Sequence, residues 1–204
     1  MWYSVCVLIV RLVNTVAKFY LDKRYYADKA ARWVSFESTP NLEETKKEIY
    51  GKCVPCISNL YEQLQAGKSE VYLGPAYNCW KVVAVMASDD ECLQVLTEFE
   101  KEFLGDRRIK GRFGSGDEEK PTRVIVFSAP TGKERDRLLE EVSICCRAVN
   151  PEARTFYHRG CAELYHELFG DSMNWRETEA IKKPEAIEGI LATIRKRLFW
   201  EKER

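Results

Sequence analysis

Residues 79–105, CWKVVAVMASDDECLQVLTEFEKEFLG, decide the fold class, because their pattern switches once from strand to helix. Residues 79–87 are a mainly apolar run around three β-branched valines, the composition of a buried strand. Ser88, followed three residues later by Glu91, forms a capping box, so a helix opens at once. Leu93, Leu96, Phe99 and Phe103 then recur at helical spacing, and Gly105 closes the segment.

Downstream the same alternation is repeated. RRIKGRF, 107–113, reads as an edge-like strand, GSGDEEKP as a polar loop, and TRVIVFSA, 122–129, as another buried strand. PTGKERDRLLEEVSICCRAV follows as a long helix from near Pro130, with Leu138, Leu139, Val142 and Cys146 on its apolar side. ARTFYHRG is a strand and CAELYHELFG a short helix. From 79 to about 160 the order is therefore β-α-β-β-α-β, the chain path of a ferredoxin-like α+β domain.

Upstream, Val5, Leu8, Ile9, Leu12, Val13, Val16, Phe19 and Tyr20 fall on one helical stripe, opposite Ser4, Arg11, Thr15 and Lys18. A second helix is expected from about Asp22 through Trp33 to Phe36, closed by the turn residues STPN at 38–41. Asn41 is placed to cap a third, whose apolar face runs through Ile49, Cys53, Cys56, Ile57, Leu60 and Leu64, with Gly51 and Pro55 marking a kink or a fresh start. EVYL, 70–73, reads as a short strand. Near the C-terminus, Pro184 suits a first helical turn, and Ile187, Ile190, Leu191, Ile194 and Leu198 give an amphipathic helix. That helix is expected beside the N-terminal helices or across the sheet. The expected organisation is a helical N-terminal region at 1–76, the ferredoxin-like domain at 77–171, and a loop with the C-terminal helix at 172–204.

The chain has 204 residues, 45% of them hydrophobic, enough for a real core. Its 32 basic and 32 acidic residues cancel, so no overall field draws in a polyanion or an acidic membrane. The three segments carry 10 basic and 8 acidic, 14 and 18, and 8 and 6 groups, and none has the strongly basic footprint of a protein held mainly by phosphates. No basic residue precedes the apolar N-terminal run, and Arg11 and Lys18 interrupt what would have to be roughly 20 apolar residues to cross a bilayer. A cytoplasmic protein without membrane contact is expected. Eight cysteines follow no disulfide-framework spacing, and 31% charged residues with only three Gln match the usage of a thermophile.

GKCVPC, 51–56, is the densest hint of chemistry. A Cys-x-x-Cys pair works as a redox centre when its first thiol is exposed at a helix N-terminus. Over its four residues CVPC resembles the active-site motif of thioredoxin-like proteins, and that resemblance implies dithiol exchange. The preceding EETKKEIYGK is charged and helical where that family has an apolar strand. Cys53 and Cys56 also extend the stripe of Ile49, Ile57 and Leu60, as buried packing residues do. Zinc is the one cofactor for which the sequence offers ligands: Cys53, Cys56, His158 and Cys161 make a Cys3His set.

SAPTGKER, 128–135, opens a helix after a strand, but Phe127 stands where a P-loop has its first glycine and Glu134 where the metal-binding hydroxyl belongs. What remains is a looser anion contact at Thr131, Gly132 and Lys133, against the reading of an ordinary helix start. KGRFGSG, 110–116, invites comparison with the stacking motif of RNA-recognition domains, yet Arg112 stands where that motif needs an aromatic, and KVVAVMA supplies none. Arg107, Arg108, Lys110 and Arg112 still form a basic cluster able to contact phosphates, beside Asp117, Glu118 and Glu119. With two histidines and no Gly-x-Ser-x-Gly elbow, hydrolysis has little support. The expected function is a non-enzymatic binding or regulatory protein acting through partner contact or self-association. RNA binding by 107–112, and thiol or zinc chemistry at Cys53 and Cys56, are the alternatives.

Overall fold

The computed structural model describes residues 19–25, 32–40, 54–115, 120–160 and 162–199. In chain order the strands are β1 (Tyr20–Tyr25), β2 (Arg32–Glu37), β3 (Glu70–Tyr72), β4 (Trp80–Met86), β5 (Lys110–Ser115), β6 (Arg123–Ala129), β7 (Arg154–Arg159) and β8 (Thr178–Ala180). The helices are α1 (Val54–Gln65), α2 (Asp89–Phe99), α3 (Gly132–Val149), α4 (Ala162–Phe169) and α5 (Ile187–Phe199). Among the described residues, no helix is long and apolar enough to cross a membrane.

The capping chemistry sets the two sheet-packing helices. Ser88 Oγ accepts from the Glu91 N–H at 3.1 Å, one of the first donors of α2, while Glu91 Oε2 accepts from the Ala87 N–H just ahead of the cap at 2.9 Å. Asp89, Asp90 and Glu91 in its first turn suit the positive end of the helix dipole. Past Phe99 the helix widens into a π turn over Glu100–Leu104 and ends at Gly105, whose φ of 53° favours glycine. Thr131 caps α3 in the same way, its Oγ1 accepting from the Glu134 N–H at 3.1 Å.

Six strands form one antiparallel sheet in the order β1-β2-β5-β6-β4-β7, and β3 pairs with β8 in a separate ribbon. β4 and β5, joined through α2, run parallel with β6 between them; β6 and β7, joined through α3, run parallel with β4 between them. Alternate residues of β4, Trp80, Val82, Ala84 and Met86, pack against Cys92, Val95, Leu96 and Phe99 of α2 and Leu138, Val142 and Cys146 of α3. Phe36, Phe99 and Phe127 join this core, with the Phe36 and Phe127 rings 5.1 Å apart and edge-on.

A second core gathers Ile57, Leu60 and Leu64 of α1, Val71, Leu73, Tyr165, Phe169, Trp175, and Ile190 and Ile194 of α5. The Tyr165 hydroxyl donates to the Cys56 carbonyl inside it. The C-terminal helix thus lies beside α1, one of the two places expected for it.

Two expectations are corrected. Residues 20–25 and 32–37 are an antiparallel pair of strands, not the helix expected from Asp22 to Phe36. Val34 and Phe36, two residues apart, both enter the core, which a strand permits and a helix, turning them about 200° apart, does not. The 107–113 strand is not at an edge, because β2 pairs along β5 from Glu37–Lys110 to Arg32–Ser115. The helix expected over 5–20 lies outside the described residues except at its last two positions, and the start of the third helix, 41–53, lies outside them entirely.

Candidate functional site

α2 and α3 cover one face of the sheet, and the alternate side chains of β4, β6 and β7 stand on the other. Register arranges these in three rows across the strands. Ser128, Lys81 and His158 form the first, Val126, Val83 and Phe156 the second, and Val124, Val85 and Arg154 the third. Phe156 is 47% exposed, Val85, Val124 and Val126 are half-buried, and Val83, between Val126 and Phe156, is buried. The nine positions contain Lys81, Arg154 and His158 and no carboxylate.

Polar contacts orient the first row. Lys81 Nζ donates to Ser128 Oγ at 2.9 Å. His158 Nδ1 lies 2.7 Å from the Arg159 carbonyl, which only accepts, so Nδ1 carries the proton and Nε2 of the neutral ring is an acceptor. The His158 ring is 6.4 Å from that of Phe156. On β5 the same face carries Arg112, its guanidinium 4.2 Å over the Trp33 ring.

An arginine–aromatic corner closes the end of β4 and β7. Arg159, opposite Trp80, lies 4.0 Å over its indole and 4.7 Å from the Tyr77 ring, while Arg135 of α3 lies 4.3 Å over the same indole and 4.5 Å over Tyr157. Arg159 Nε donates to the Tyr77 carbonyl at 2.8 Å and Nη1 to the Ser172 carbonyl. Burial holds the Arg159 guanidinium below its ordinary range, and the Arg135 charge acts in the same direction. Both carbonyls belong to segments flanking the second core, so this side chain ties β7 to it.

The expected basic cluster is divided between opposite sides of the sheet. Arg107 turns toward α3, its Nη2 2.6 Å from Glu134 and its Nη1 2.7 Å from Glu141. Burial works against that charge, and the hydrogen bonds of Glu141 and Glu134 outweigh it and raise the Arg107 pKa. Arg108 Nε meets Glu37 Oε1 at 2.5 Å. Lys110 and Arg112 lie on the other face, opposite Glu37 and Ser35 of β2. At the α3 start, the Thr131 hydroxyl is engaged by its own helix, Gly132 is half-buried and Lys133 is exposed.

Cys53 and Cys161 of the zinc set lie outside the described residues. Cys56 is buried in the second core, and His158 stands on β7. Among the described residues, no group of three His, Cys, Asp or Glu side chains is placed to hold a metal ion. Cys92, Cys145 and Cys146 are buried in the first core, and burial raises all three thiols, Cys145 and Cys146 to about 12. Lys81, Arg154 and Phe156 do not stand out in the sequence as site residues. The signal that could find Arg154 and Phe156 is the two-residue period of RTFYHR, which places them on one face with His158, while Lys81 joins them only through the register of β4 with β7. Compared with protein-family models, with curated proteins and with solved structures, the chain matches none.

Proposed function

We propose that this chain is a non-enzymatic binding protein whose partner surface is the second face of a ferredoxin-like sheet. The strand order β5-β6-β4-β7, with a helix after β4 and another after β6, supports the ferredoxin-like assignment. The observation that carries the binding reading is Phe156, 47% exposed at the end of a row of valines on the face that α2 and α3 leave aside. A single exposed aromatic needs no explanation. Here it continues an apolar strip of half-buried valines bordered by Lys81 and Arg154, the apolar centre and polar rim of an interface.

A surface kept for a partner contributes little to folding. In urea unfolding of the full chain, Phe156→Ala should therefore cost less than about 0.5 kcal/mol. Phe127→Ala, fully buried on the opposite face, should cost about 3–5 kcal/mol. A loss above about 2 kcal/mol at Phe156 would assign this face to the folding core and refute the binding reading.

A further inference from the structure

From that surface we infer the class of partner: a single-stranded RNA laid across β6, β4 and β7, with a base stacked on Phe156 and phosphates held by Lys81 and Arg154. The inference rests on the binding reading and adds three observations to it.

The first is charge. The 77–171 segment carries 18 acidic against 14 basic residues, yet the nine positions of this face carry two cations and no acid. A local field of one sign on an otherwise acidic segment suits a polyanion. It suits a second copy of the chain poorly, since a two-fold contact between identical faces would bring Lys81 and Arg154 against one another's kind without a carboxylate to meet them.

The second is spacing. The Lys81 row and the Arg154 row lie four residues apart along the strands, about 13 Å, with Phe156 in the row between them. That order, cation, aromatic, cation, matches a base with backbone on either side. Stacking on an exposed ring requires an unpaired base, because a duplex hides the π faces. Arg112 on Trp33 carries the basic and aromatic pairing onto β5 and β2, where Lys110 stands opposite Glu37.

The third is His158. With Nδ1–H fixed on the Arg159 carbonyl, Nε2 is an acceptor beside Phe156 with no partner among the described residues. A ribose 2′-hydroxyl can donate to it, and deoxyribose has no such group.

The test is fluorescence anisotropy of the full chain with a labelled oligouridine of roughly 12 nucleotides. Two phosphate contacts predict a salt slope of about −1.4, so affinity should fall about sevenfold between about 50 and 200 mM salt. Phe156→Ala should weaken binding about tenfold without moving the unfolding midpoint. Lys81→Ala with Arg154→Ala should flatten the salt slope, and His158→Ala should narrow the preference for RNA over the matching DNA strand. Lys101→Ala, on the π turn after α2, should change nothing. Absence of saturable binding at the lower salt overturns the inference, as does binding indifferent to both Phe156→Ala and the double variant. Self-association by light scattering that depends on Phe156, without RNA binding, overturns the RNA assignment and leaves the binding surface standing. Destabilisation by Phe156→Ala removes both.

Discussion

A single methyl group added at Gly111 tests how tightly β2, β5 and β6 are packed. The Cβ of Gly111→Ala would lie 2.0 Å from the Val126 carbonyl oxygen and 2.4 Å from Cζ of Phe36, against a floor of 3.0 Å for real Cβ contacts. Both neighbours must therefore give way, the carbonyl by about an ångström and the ring by roughly half that. The carbonyl belongs to β6, which pairs with β5 at Gly111–Phe127 and Arg112–Val126, so its retreat loosens ladder bonds worth about 1 kcal/mol each. Phe36 is fully buried between the edges of Phe19 and Phe127, at 5.5 and 5.1 Å, and moving it displaces two further rings. Overpacking of this kind costs about 1–3 kcal/mol. Both effects together come to about 3 kcal/mol, and alanine's advantage over glycine inside a strand offsets roughly 0.5–1 kcal/mol of it. The net expectation is a loss of about 2–2.5 kcal/mol, a large share of the roughly 5–15 kcal/mol that typically holds a domain folded. Urea unfolding followed by tryptophan fluorescence measures it, with unchanged m-values showing that stability and not compactness has moved. Gly132→Ala is the control, since the nearest atom there is 3.9 Å away, and it should be neutral or stabilising. If Gly111→Ala lies within about 0.5 kcal/mol of the parent, the packing argument for this glycine is wrong.

The buried thiols make stability depend on alkaline pH. Below about pH 9 Cys92, Cys145 and Cys146 are protonated whether the chain is folded or not, so their contribution is fully present. From about pH 9 to about 12 the unfolded thiols ionise while the folded ones do not, and stability falls by about 1.4 kcal/mol per pH unit for each. Cys145→Ala should lessen that fall by about a third relative to the parent; an unchanged slope contradicts the assignment. A thiol reagent at neutral pH should leave these three cysteines unmodified until the chain unfolds, with mass spectrometry of peptides as the readout. Arg107→Ala removes the partner of Glu134 and one of the two arginines on Glu141, whose side chain is only 10% exposed. Its expected cost is about 3 kcal/mol, and adding Glu141→Gln should recover part of that loss.

Signals contained in a few consecutive residues are legible in the sequence alone. The cap at Ser88 needs only four consecutive residues, and the apolar runs of β4 and β6 read as strands from their valines and isoleucine. The antiparallel pairing of β1 with β2 is not legible in this way, because YLDKRY and RWVSFE tolerate either periodicity over so short a span. What decides it is the edge of β5, more than 70 residues away, whose backbone groups β2 satisfies. Arg107 and Arg108 read in sequence as part of one basic cluster, since their carboxylates come from positions 27, 34 and 71 residues distant.

The candidate face divides along the same line. The two-residue period within β4, β6 and β7 states which residues of each strand share a face, and that much is local chemistry. Which strands are neighbours, and in what register, sets Ser128 beside Lys81 and Phe156 beside Val83. By itself the sequence determined most of the elements and their order; only the tertiary structure decided the pairings, because cross-strand hydrogen bonds and distant ion pairs leave no signature in the residues next to them.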